Sequence, residues 1–67
     1  MWKIKIGENA GVIWRELNAR GEQNISNLKR NTRLDEKNLY LALGWLAKEN
    51  KIVFSQRQRQ IVIGLIG

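Results

Sequence analysis

Sixty-seven residues make one small domain spanning 1–67, because a chain of this length buries only about three-fifths of the surface it exposes when unfolded. Hydrophobic residues at 43% and charged residues at 27% describe a globular chain, and having neither Cys nor His excludes disulfides, the usual zinc sites, thiol nucleophiles and imidazole bases. Twelve Lys and Arg against six Asp and Glu leave a net charge of +6, which favours polyanions, nucleic acid first, by attraction and counterion release, although basic charge also serves solubility alone.

Residues 1 to 6 alternate Met1, Lys3 and Lys5 with Trp2, Ile4 and Ile6, a period of two that predicts a short strand. The segment lacks the length and cleavage pattern of a signal peptide, and no apolar run is long enough to span a bilayer, so a cytoplasmic protein without a membrane partner is expected. Ala10, Ile13, Trp14 and Leu17 then fall at helical spacing and predict a first helix over about 9–20, ended by Gly21. Ser26 serves as N-cap of a short second helix reaching about Asn31, with Ile25 before it as a staple. Thr32-Arg33-Leu34 makes a tight turn, and Asp35 caps a third helix to about Glu49 whose inward residues are Leu39, Ala42, Leu43 and Leu46.

Asn50 can adopt the left-handed conformation that ends a helix. Ile52-Val53-Phe54 and Ile61 to Ile66 read as two strands, joined by a charged tip from Ser55 to Gln60. Trp14 and Phe54 are expected in the core, with Trp2 open. Three helices, a hairpin and a leading strand, joined by short connections, leave few compact topologies, and the winged helix is the commonest of them.

Ile25 to Asp35, followed by Leu39, Leu43, Leu46 and Ile52, resembles the winged helix-turn-helix pattern. The stretches Ile6-Gly7-Glu8-Asn9-Ala10-Gly11 and Leu39 to Ala47 look like a small bacterial family of stand-alone winged helix-turn-helix domains, a family defined by architecture and not by activity. The resemblance covers essentially the whole chain. It implies a mainly α fold with a small β-sheet: a three-helix bundle, a C-terminal β-hairpin wing and, here, the short N-terminal strand. It also implies a third helix that enters the major groove and a wing that touches the DNA backbone.

At about 100° per residue, Lys37, Leu41, Trp45 and Lys48 lie on the outward face of the third helix, with Gly44 beside them. Leu41 and Trp45 are not the hydrogen-bonding residues that read base edges. Either they extend the core under the strand or wing, or they form an apolar patch where Gly44 admits a second backbone, and a two-fold homodimer is the economical form of the latter. Candidate phosphate contacts are Lys29, Arg30, Arg33, Lys37 and Lys48, together with Arg57 and Arg59, which two apart on a regular strand point the same way. Glu8, Glu16, Glu22, Asp35, Glu36 and Glu49 are the only carboxylates, on helix surfaces or caps, and no phosphate loop or metal-spaced cluster accompanies them. No enzyme, cofactor, metal or small-molecule substrate is therefore expected. The leading expectation is a dimeric DNA-binding transcriptional regulator; the alternative is a winged-helix module that binds a second copy or another protein through the outward face of its third helix and does not read DNA.

Overall fold

The computed structural model describes residues 2–66, which run α1 (Trp2–Arg20), β1 (Gln23–Asn24), α2 (Ile25–Thr32), α3 (Glu36–Lys48), β2 (Ile52–Arg57) and β3 (Gln60–Leu65). The predicted N-terminal strand is a correction: Trp2 to Ile6 are the first turns of α1, and Met1 lies outside the described residues. Ile6 stands on the same helical stripe as Ala10, Ile13 and Leu17, of which the last three are buried and Ile6 half-buried. A six-residue alternation with no strand to pair with does not outweigh that continuation. Gly7 is carried inside the helix, at about 1 kcal/mol relative to Ala. Ile13, and not Trp14, is the centre of the stripe; Trp14 lies one residue round and is 39% exposed, against its expected place in the core.

Gly21 ends α1 as expected, at φ 83° with its amide donating to the Leu17 carbonyl at 2.8 Å. The N-cap of α2 is Asn24 and not Ser26: Asn24 Oδ1 accepts from the Asn27 amide at 2.8 Å, so the helix starts one residue before the expected cap. Asp35 holds the N-cap position of α3, but its carboxylate accepts from Asn38 Nδ2 at 2.6 Å instead of from the helix backbone. Asn50, at φ 57°, closes α3 in a Schellman arrangement, its amide donating to the Ala47 carbonyl and that of Lys51 to Leu46.

The sheet is antiparallel in the order β1-β3-β2. Arg57 pairs with Gln60, so the turn is only Gln58-Arg59, with φ of 50° and 68°, a two-residue hairpin loop of the I′ kind and tighter than the expected tip. Phe54 lies opposite the buried Ile63 yet is 47% exposed, again against its expected core place, because burial fades along β2 from Ile52 outward as the hairpin leaves the core. Ile13, Leu17, Leu28, Leu39 and Ile63 are the largest fully buried side chains, so all three helices and β3 meet in one core with Ala42, Leu43 and Leu46. Packing three helices against a hairpin in this way fixes where the outward faces of α2, α3 and the wing lie.

Candidate nucleic-acid interface

On α2 the buried residue is Leu28, and helical geometry sets Ser26 and Arg30 on the opposite side, both exposed, with Arg33 exposed at the C-cap just past the helix. Eight residues span about 12 Å at 1.5 Å each, so this row could follow a phosphate backbone for two successive phosphates. Arg30 Nη2 is steadied by Asn27 Oδ1 at 3.1 Å. At the other end of the row, Arg59 of the wing tip joins Asn24, Ser26 and Gln60, with Ile25 and Ile61, around a notch of about 220 Å³ at the start of α2. Asn24 builds this notch: its oxygen caps the helix while its Nδ2 donates to Gln60 Oε1 at 3.2 Å, tying helix to wing. The Ser26 hydroxyl, relieved of capping, has no hydrogen bond among the described residues. A helix start beside a guanidinium and a hydroxyl is suited to an anion.

Two of these arginines occupy backbone that favours glycine. Arg33 follows α2 at φ 62°, its amide donating to the Lys29 carbonyl at 2.9 Å, and Arg59 sits at φ 68° in the hairpin turn. An L-residue held left-handed loses about 1 kcal/mol relative to its relaxed conformation, which glycine would not.

The other expected phosphate contacts divide. Arg57 and Arg59 do not point together along a strand, because the turn intervenes: Arg57 ends β2 and its Nη1 reaches Glu22 Oε1 at 2.8 Å, while Arg59 is in the turn itself. Lys29 lies 3.7 Å from Glu36, across the junction of α2 and α3. These exposed pairs contribute little stability but neutralise the two cations locally. Lys37 and Lys48 are on the outward face of α3, with their ammonium groups 5.1 Å from the Trp2 ring and 5.7 Å from the Trp45 ring.

Leu41 and Gly44 are exposed on the same face, with Leu41 at 39%. Trp45 is turned toward α1, half-buried against the core and lining a groove with Gly7, Gly11 and Trp14. A Cβ at Gly44 would meet nothing within 4 Å, so no neighbour inside the domain requires glycine there. Apart from the exposed Tyr40 hydroxyl, the centre of α3 thus presents few groups that could read a base edge, and its cations stand at the two ends. Sequence reasoning gives Ser26 only a capping role and passes over Asn24 beside this notch, although a polar Gln23-Asn24 pair before a short helix is a usable sign of a cap. No helix among the described residues is long and apolar enough to cross a membrane.

Comparison with known proteins agrees with this architecture. The family model described as Winged helix-turn-helix domain (DUF2582) matches residues 1–65. Uncharacterized protein MJ1608 of Methanocaldococcus jannaschii is 38% identical over 68 residues, covering 97% of this chain and 94% of that protein. The solution NMR structure of protein BT2368 from Bacteroides thetaiotaomicron superposes with a TM-score of 0.87 at 38% identity, covering 97% of this chain and 79% of that one. With three helices, a wing and a family match over nearly its whole length, the chain belongs to the DUF2582 family of winged helix-turn-helix domains.

Proposed function

We propose that this domain binds duplex DNA through the phosphate backbone, with little discrimination between sequences, and acts as a homodimer in the control of transcription. The role is one of binding and not of catalysis. The observation that carries this reading is Arg59, an arginine kept in a left-handed turn position that glycine would fill at lower energy, at the notch where α2 begins. Local rules of this kind are broken where a side chain has a function to perform. In helix-turn-helix complexes the helix before the recognition helix crosses the DNA backbone, which is the duty the Ser26, Arg30 and Arg33 row is suited to. The apolar Leu41 and small Gly44 at the centre of α3 favour backbone contact over base reading.

Anisotropy titration of labelled duplexes across a salt series tests the proposal. One phosphate for each of Arg30, Arg33, Lys37 and Arg59 gives a slope of log affinity against log salt of about −3.6, or about a hundredfold loss between 50 and 200 mM. Unrelated duplexes should bind within a few-fold of one another. Absence of binding at low salt contradicts the proposal. A second reading, a module that binds another protein through the outward face of α3, is favoured by the exposure of Leu41; Leu41→Gln would abolish such binding and leave the salt-dependent DNA affinity in place.

A further inference from the structure

The groove between α1 and α3 lies apart from the α2 and wing-tip cations and has a different chemistry. Ile4, Gly7, Gly11 and Trp14 form one outward line on α1, spaced i, i+3, i+7 and i+10, with Ile4 66% and Trp14 39% exposed. Gly7, Gly11 and Trp14 make one wall of a groove of about 380 Å³, and Trp45 stands on the other. A Cβ at Gly7 would meet nothing within 4 Å, so no packing inside the domain explains a glycine in mid-helix, whereas a helix from outside could approach its backbone closely there. The rim carries both signs, Arg15 and Lys51 with Glu49, in a chain whose net charge is +6.

From this juxtaposition we infer that a second copy of the chain docks in the α1–α3 groove, joining two domains back to back. The proposal specifies the dimer of the preceding reading, but the groove itself requires no DNA. An isologous contact sets the same patch against itself, so it needs self-complementary charge, and a rim of mixed sign meets that need where the wholly basic α2 row would repel its copy. An acidic partner would select the basic row instead. The line from Ile4 to Trp14 runs about 15 Å, and a standard interface takes about 800 Å² from each partner, a sixth of this chain's 4876 Å². A contact line this short makes for a modest interface, so a dimer that dissociates at micromolar concentrations is expected.

Sedimentation equilibrium from about 5 to 500 μM tests the inference on wild type, Gly7→Arg and Trp14→Ala, with helicity checked by circular dichroism. Wild type should pass from monomer to dimer over this range. Gly7→Arg, whose side chain enters open space within the protomer, should retain wild-type helicity and weaken self-association at least tenfold, and Trp14→Ala should weaken it in the same direction. Gly7→Ala, too small to disturb the monomer, should also loosen the dimer. A wild type that remains monomeric throughout, or a folded Gly7→Arg that dimerises like wild type, overturns the inference; in the first case the groove passes to a helix of another protein. DNA titration of the same samples separates the two proposals: lost dimer with retained salt-dependent binding by the monomer leaves the DNA reading intact, and a dimer without DNA affinity leaves only the groove.

Discussion

The α2 row with its wing tip and the groove between α1 and α3 solve opposite surface problems. The row is cationic, exposed and built on strained turn positions, with Arg33 and Arg59 where glycine would relax the backbone. The groove is apolar and built from glycines where side chains would strengthen the helix, Gly7 and Gly11 beside Trp14. In each region the residue type is the reverse of what local stability favours, and the reversals differ in kind: large charged side chains placed in turns, and side chains removed from helices. Such departures point to what the surface meets, since the core beneath both is conventional.

Substitutions that sharpen or break this contrast range from a loss of both regions to small gains. Leu39→Ala removes a fully buried side chain at the meeting of the helices and should lower unfolding free energy by about 2–5 kcal/mol, most of what so small a domain possesses. Urea denaturation would show both surfaces lost together. Asn24→Ala should remove about 1 kcal/mol with the α2 cap and delete the side-chain contact to Gln60, while the backbone pairing of β1 with β3 still holds the wing. Its companion Ser26→Ala should change stability by less than about 0.5 kcal/mol, because Asn24 holds the cap, while lowering DNA affinity; a large destabilisation would restore Ser26 as the cap. Gly44→Ala, which adds a Cβ into open space, should raise the melting temperature with a gain of up to about 1 kcal/mol, and a destabilisation would show an unrecognised neighbour at that face.

The inward halves of the elements could be read from sequence because burial imposes a period: Leu39, Ala42, Leu43 and Leu46 follow the helix, and Ile52 and Ile63 follow the strands. Gly21 and Asn50 likewise end their helices by a backbone requirement that a residue type reveals. Where two periods overlap the pattern misleads. Trp2, Ile4 and Ile6 alternate like a strand, but Ile6 is also one turn before Ala10, and the longer helical register prevails. β1 escaped notice because Gln23 and Asn24 have no strand propensity and pair only by their position beside β3. Sequence alone offers the cations as candidate phosphate contacts, but composition does not reveal that Arg57 turns to Glu22 and Lys29 to Glu36 while Arg59 faces the start of α2. Such pairings depend on residues distant in sequence or across a turn.

The most direct test of the DNA-backbone proposal is Arg59→Gly, measured for thermal stability and for duplex affinity across a salt series on the same protein. If Arg59 is retained for contact with phosphate at the expense of its turn, the variant should unfold at a higher temperature, with a gain of about 1 kcal/mol, and bind DNA several-fold more weakly with a salt slope shallower by about 0.9. Unchanged affinity and slope would contradict the proposal, and would leave Arg59 as a solubilising charge at the edge of the wing.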